Sequence, residues 1–247
     1  MSIVLCIPQV RLHTKFPPHI MEFYAANKAK HDLRLHHRIY RPLYEVQAEA
    51  VLAAQGLKAS HILFVEDDHW GFPVDGLDEL LDLDLDVVGF QTYRKSPPFR
   101  SLAMKKQDPS LSALDRHRNL IPHERGDGPE VQETDILTWA FTLVKTSVFD
   151  RLYAAGKFPF NQSGPVPTDS YFNQYCEDLG IKRHVHFGYK IAHGDHDPED
   201  LDILREAYAK IEQRKRQRRF LKPDEVEMPS DEDVQKMLDE FHKRRAA

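Results

Sequence analysis

Two cysteines in 247 residues leave no room for a disulfide framework. Cys6 and Cys176 stand in no Cys-x-x-Cys spacing and read as buried thiols of a reducing compartment. No apolar run approaches the ~20 residues that a membrane-crossing helix needs. The opening residues, Met1 to Pro8, lack the positively charged segment and long apolar stretch of a secretory leader. A soluble, cytoplasmic chain is the expectation. Charge of one sign is lacking as well: a net charge of -5 argues against a uniformly basic nucleic-acid binder and leaves room only for a local basic patch. There is no internal repeat and no low-complexity tract. The segment Ile7-Pro8-Gln9-Val10-Arg11 contains no glycine, which removes the glycine-rich phosphate loop expected after a first strand.

What is present suffices for a core. With 41% hydrophobic and 10% aromatic residues, the chain can offset the entropy of ordering, so global disorder is excluded. Its length suits one large domain or two small ones. The composition divides it into a core over 1–196 and a charged helical extension over 197–247.

The core reads as α/β. Ile3 to Ile7 is a short continuous apolar run, as in a strand buried on both faces. After an irregular, proline-containing stretch, Arg41 to Gln55 has a helical face of Leu43, Val46, Ala50 and Ala53, with Pro42 in its first turn and Gly56 as its stop. His61 to Val65 is a second buried strand, Asp75 caps a short helix to Leu81, and Asp86 to Gln91 is a third strand. This strand-helix alternation predicts a Rossmann-like, mixed and mostly parallel sheet flanked by helices. Tyr93 to Glu133 reads as loops with a hairpin. A strand over Ile136 to Val144 follows, then a helix capped by Thr146 and stopped at Gly156. Gly164 to Pro167 is a loop, and Thr168 caps a helix from Asp169 to Leu179. His184 to Phe187 leads as a strand into His193-Gly194-Asp195-His196. A long helix starts at Asp197-Pro198 and ends in the basic run Arg214 to Arg219, where the helix dipole favours cations. A last helix is announced by Ser230 and runs to Arg245.

The abrupt stop of the second strand at Glu66-Asp67-Asp68 is the strongest chemical signal. Adjacent carboxylates raise one another's pKa unless a cation or hydrogen-bond donors compensate. Mg²⁺ takes one or two carboxylates and completes its shell with substrate phosphates. Ligands of open α/β sheets sit beyond the carboxyl ends of the strands, where this cluster falls. Alternation puts Glu66 and Asp68 on one side and Asp67 on the other. Against this stands the plain reading of a solvated acidic turn before Trp70-Gly71-Phe72-Pro73.

The run Ile62-Leu63-Phe64-Val65-Glu66-Asp67-Asp68, with Phe72-Pro73, Leu77 to Leu81 and Val87-Val88-Gly89 behind it, resembles the DxD region of family 2-like GT-A glycosyltransferases of the compact phage and bacterial type. Thr138 to Lys145 is similar to the acceptor-side strand of that family, Thr168 to Phe172 to its EDxxF helix start, and Tyr189 to Gly194 to its closing strand. The resemblance spans about residues 2–196 in motif order. It implies a GT-A-like fold and the transfer of a hexose or pentose from a nucleoside diphosphate sugar, a UDP-sugar first among them, to an acceptor hydroxyl. It further implies a Mn²⁺ or Mg²⁺ ion held by Asp68, Glu66 and His193, and Asp169 as general base. Pro8, Arg11, Glu66, Asp67, Arg94 and Trp139 are then the contacts of the nucleotide sugar. The sequence departs from the family pattern in Glu66 for the first aspartate, Thr168 for an acidic residue, and Trp139-Ala140 for a glycine-containing step.

The basic run Arg214 to Arg219 is a solvated helix end or, if the acceptor is a modified nucleic-acid base, a contact for DNA or RNA phosphates. The apolar face Leu201, Leu204, Tyr208 and Ile211 needs a partner, either its own core or a second copy of the chain. Two other functions share parts of the pattern. A sugar nucleotidyltransferase has the same core and metal but wants the missing glycine loop. A non-catalytic nucleic-acid or partner-binding protein would use the core only as a support.

Overall fold

The protein is described by a computed structural model that covers residues 1–9, 14–112, 114, 120–160, 167–194, 196 and 198–218. Its strands are β1 (Ile3–Gln9), β2 (Leu33–Ile39), β3 (His61–Val65), β4 (His69–Trp70), β5 (Val87–Thr92), β6 (Met104–Lys106), β7 (Leu120–Pro122), β8 (Val131–Thr134), β9 (Phe141–Lys145) and β10 (Arg183–His193). Its helices are α1 (Phe16–Lys28), α2 (Leu43–Leu57), α3 (Gly76–Asp82), α4 (Thr146–Ala154), α5 (Thr168–Asp178) and α6 (Pro198–Arg218). Among the described residues one sheet has eight strands in the order β2-β1-β3-β9-β5-β10-β4, with β8 also paired to β10, while β6 and β7 form a separate antiparallel pair. β1 runs parallel to β2 and β3, and β5 runs parallel to β10. β9 lies antiparallel between β3 and β5. This is the expected mixed, mostly parallel α/β sheet with helices on its faces.

The two faces follow from strand alternation. Ile3, Leu5 and Ile7 of β1 and Leu63 and Val65 of β3 join Phe16, Ile20 and Phe23 of α1 and Leu77 and Leu80 of α3 in one cluster. Val4, Cys6, Ile62 and Phe64 point the other way and join Val46, Ala50 and Ala54 of α2, Val148, Phe149 and Leu152 of α4, and Phe172 of α5. β5 and β9 approach closely at Gly89, where a Cβ would lie 2.5 Å from Thr142 Oγ1 and 3.1 Å from the Phe141 carbonyl oxygen. Only glycine fits that crossing.

Several elements differ from expectation. The stretch before Arg41 is not irregular. Pro17 and Pro18 sit in the first turn of α1, where a missing N–H breaks no helical bond, and Phe16, Ile20, Phe23 and Asn27 bury one face. β2 is an edge strand whose Arg34 and Arg38 hide its apolar signal and blunt its free edge. The stop of α2 is Lys58, left-handed at φ 53°, with its N–H on the carbonyls of Ala54 and Gln55, and Gly56 stays helical. The strand over Ile136 to Val144 shrinks to β9, because the chain bends at Trp139-Ala140 and Thr142 Oγ1 donates to the Thr138 carbonyl at 2.7 Å. The expected caps Asp75, Thr146 and Thr168 make no side-chain cap bond. The expected hairpin appears as β6 and β7, and β8 joins the main sheet from a stretch read as loop.

Two compact units divide the chain at 205/206. In the first, Tyr93, Phe99 and Leu201 form a small cluster with Leu204. α6 begins at Pro198 as expected, and no helix among the described residues is long and apolar enough to cross a membrane. Arg219, the loop over 164–166 and the helix expected from Ser230 to Arg245 lie outside the described residues, as do the side chains of the basic run.

Burial is the first cause that holds His61, His123, His184 and His186 below the ordinary histidine pKa, and for His61 the value falls to about 4. These groups take up protons more readily when unfolded, so the folded state loses stability as pH falls from about 6.5 through 4. Urea midpoints measured across that window should drop steadily with acidification. His61→Gln should remove at most about 3 kcal/mol of the change, less the part that water screens.

Candidate active site

The site grows out of the end of β3. Its buried apolar run stops at Glu66, the chain turns through Asp67 and Asp68, and β4 then pairs antiparallel with the end of β10, His69 against His193 and Trp70 against Ala192. Two bonds lock this corner: the Gly194 N–H donates to the Asp68 carbonyl at 2.8 Å, and Trp70 Nε1–H donates to the Gly194 carbonyl at 2.7 Å. Gly194 takes φ 72°, a left-handed conformation that favours glycine.

Four polar side chains meet there. Asp68 Oδ2 lies 3.0 Å from Lys95 Nζ and 3.2 Å from His193 Nε2, and Asp68 Oδ1 lies 3.1 Å from His69 Nδ1. The imidazoles of His69 and His193 stack with centroids 4.1 Å apart. His193 Nδ1–H donates to the Tyr93 carbonyl at 2.8 Å, which leaves its Nε2 facing the carboxylate. His69 is 1% exposed, and neither of its ring nitrogens has a hydrogen-bond partner, since its approach to Asp68 is close but out of line. Asp68, His69 and His193 each offer an atom within 4.8 Å of the others. One carboxylate and two imidazoles, one of them with both nitrogens orphaned, are a donor set that fits a divalent cation.

The electrostatics point the same way. Burial first, then the charges of Asp68, Asp169 and Asp67, push the Glu66 carboxyl up to about 8, with Lys95 acting against them. Burial would raise Asp68 too, but the His193 and His69 imidazoles close beside it outweigh that and hold its carboxyl well below the carboxylate range. Burial takes the His69 imidazole down to about 4. The arrangement is therefore an ionised Asp68 paired with Lys95 and set against a neutral His69, with the Glu66 carboxyl beside them mostly protonated at neutral pH.

The structure brings together Glu66, Asp67, Asp68, His193 and Asp169, all named from the sequence. Glu66 Oε2 lies 3.7 Å from His69 Nδ1, at the edge of the donor group. Asp67 is 8% exposed and faces His37, whose Nε2 is 2.7 Å from Gln9 Oε1. Asp169 is 9% exposed in the first turn of α5, where the helix dipole favours a carboxylate. Pro8 is buried near the end of β1, paired with Arg38. Arg94 is exposed, and Arg11 lies outside the described residues. Trp139, expected at the nucleotide sugar, stands instead in the core: it is 3% exposed, packs on Phe64, Phe160 and Phe172, and donates Nε1–H to Thr168 Oγ1 at 3.0 Å. An indole this buried holds α5 and the start of β9 rather than a ligand.

His69 escaped the sequence. His69 follows the acidic triplet directly, but only the two-residue pairing of β4 with β10 turns it towards Asp68. Lys95 was visible only as one cation among Arg94, Lys95 and Arg100.

No family model matches the sequence, and no curated protein does. Among solved structures, A197 from STIV is similar at 14% identity, with 80% of this chain and 87% of that chain covered and a TM-score of 0.49. TarS 1–349 of S. aureus is similar at 9% identity, with 83% and 69% covered and a TM-score of 0.43. With TM-scores below 0.5, neither speaks to this chain's chemistry, which rests on the geometry above.

Trp139→Phe separates packing from binding. It removes the bond to Thr168 and leaves a buried hydroxyl unsatisfied, so unfolding in urea should show a loss of about 1–3 kcal/mol. Any metal or nucleotide binding of the unaltered chain, measured by calorimetry, should persist in the folded variant.

Proposed function

We propose that this chain is a metal-dependent, GT-A-like glycosyltransferase that moves a sugar from a nucleoside diphosphate donor to an acceptor hydroxyl. The observation that carries the reading is the convergence of Asp68, His69 and His193 at the carboxyl end of β3, ringed by Glu66, Asp67 and Asp169 and by Lys95. The strand order changes direction at β1, whose neighbours are β2 and β3, and such a switch point opens a crevice beyond the strand ends. That crevice is where Gln9 and Glu66 emerge.

A bound Mn²⁺ or Mg²⁺ would act as Lewis acid on the leaving diphosphate. Asp68 and the two histidines would hold it, with Glu66 beside them. Lys95, 52% exposed on its loop, is free to turn from Asp68 to a phosphate oxygen and neutralise charge that develops there. Asp67, Gln9 and His37 form a polar floor under the nucleoside, with Pro8 as an apolar wall. Asp169 would take the proton of the acceptor hydroxyl at a carboxylate oxygen, a role that favours inversion at the sugar carbon. A sugar nucleotidyltransferase is disfavoured by the glycine-free segment Ile7 to Arg11.

The test is a thermal-shift screen of UDP, GDP, CDP, TDP and their sugars with and without Mn²⁺ or Mg²⁺, since a ligand of the native state raises its apparent stability with occupancy. A shift that needs both metal and one nucleotide supports the reading, and no shift with any pair overturns it. Asp68→Asn should abolish the shift and any turnover, and EDTA should do the same to the unaltered chain. Lys95→Ala should lower kcat about 10–1000-fold in the transfer assay by removing charge from the leaving group, with metal affinity retained.

A further inference from the structure

We infer that the cation centre is built for a d-block ion and discriminates against Mg²⁺, and that His69 is the residue responsible. The inference deepens the proposed function, because it rests on Asp68 and His193 as metal ligands.

The donor chemistry carries it. Mg²⁺ asks for an octahedral shell of oxygens and gives up its waters reluctantly. Imidazole nitrogen suits zinc, cobalt, iron and nickel, and affinity for such sites rises from Mn²⁺ through Co²⁺. A pair of carboxylates such as Glu66 and Asp68 would serve Mg²⁺ and Mn²⁺ nearly alike. The geometry offers a different trio, Asp68, His69 and His193, with one atom of each inside a 4.8 Å group.

Each imidazole is arranged as a ligand. His193 spends Nδ1–H on the Tyr93 carbonyl, the arrangement that orients metal-bound histidines, and this sets Nε2 3.2 Å from Asp68 Oδ2. A cation at this point would take one donor atom from each side chain. His69 is fully enclosed, and both of its nitrogens lack a hydrogen-bond partner. An enclosed polar group without a partner costs about 1–3 kcal/mol, and a metal bond is the interaction that offsets it here. The antiparallel pairing of His69 with His193 sets both rings on the same side of the corner.

The experiment is calorimetric titration of the metal-stripped full chain with Mg²⁺, Mn²⁺ and Co²⁺ in the absence of nucleotide, with the Mn²⁺ arm repeated by the loss of its free-ion paramagnetic resonance signal. Co²⁺ should bind more tightly than Mn²⁺, and Mg²⁺ at least about tenfold more weakly than either. His69→Gln should weaken Co²⁺ about 10–100-fold, the range seen when support of a metal ligand is lost, and barely change Mg²⁺. His69→Asp should narrow the gap between Mg²⁺ and Co²⁺. Circular dichroism checks that each variant is folded, and if neither folds, the Mg²⁺ to Co²⁺ ratio of the unaltered chain decides. Equal affinities for Mg²⁺ and Co²⁺, or Co²⁺ binding untouched in a folded His69→Gln, overturns the inference. Sugar transfer supported equally by Mg²⁺ and unaffected by His69→Gln removes the inference and leaves the proposed function standing. Selective Co²⁺ binding without any nucleotide-sugar shift does the reverse. No binding of any of the three ions, with or without UDP, overturns both.

Discussion

The short pairing of β4 with β10 is the constraint on which the site depends. Two residues on each strand carry it, His69 with His193 and Trp70 with Ala192, braced by the bonds of Gly194 to Asp68 and of Trp70 to Gly194. Without it, the chain after β3 would be an acidic turn in solvent, and His193 would be the loose end of a long strand. With it, side chains 125 positions apart in sequence reach within 3.2 Å of each other. The apolar sheet behind holds both ends still, since Val65 and Ile191 belong to the same buried cluster. Packing thereby sets the precision of the polar corner, which is the order in which rigid elements position functional groups.

β10 supplies the second half of that precision. It follows β5 in register from His184 to His186, slips by a bulge over 187–189, and resumes at Lys190 opposite Gln91. A bulge bends a strand and re-aims the side chains beyond it. Here the bend falls between the half of β10 that pairs with β8 and the half that pairs with β4. The Gly188 N–H donates to His186 Nδ1, and the Phe187 N–H to the Glu130 carbonyl, so the irregular residues keep their hydrogen bonds.

Much of this was legible in the sequence, and the rest was hidden for physical reasons. Strands buried on both faces announce themselves as apolar runs, so β1, β3 and β5 could be read, and with them the acidic triplet at a strand's carboxyl end. The start of α6 at Pro198 was legible because proline is at home in a first turn, yet the same chemistry at Pro17 and Pro18 was read as irregular, although Phe16, Ile20 and Phe23 stand there at helical spacing. β2 was hidden by its charged edge residues. His69 was hidden because its role comes from strand register, and Lys95 could not be told from Arg94 and Arg100 because loop placement selects it, which no local pattern encodes. Trp139 was misplaced for the converse reason: its neighbours looked like a site, whereas its indole fills the space between Phe64 and Phe172.

The balance of charge at the corner limits what can bind there. Glu66, Asp67, Asp68 and Asp169 gather in one region, where Lys95 pairs with Asp68. Two unit charges 4 Å apart interact by about 4 kcal/mol at the effective dielectric of a protein surface. A diphosphate approaching the ionised Asp68 unaided would meet repulsion of that order. On the proposed reading the cation therefore precedes the donor: it turns the acidic corner from a barrier into an attractive site, and it releases Lys95 from Asp68 to meet the phosphates. The same ionised Asp68 that repels a diphosphate in the metal-free corner makes the loaded one specific, because a neutral sugar gains nothing from the exchange and a nucleoside diphosphate sugar gains both contacts.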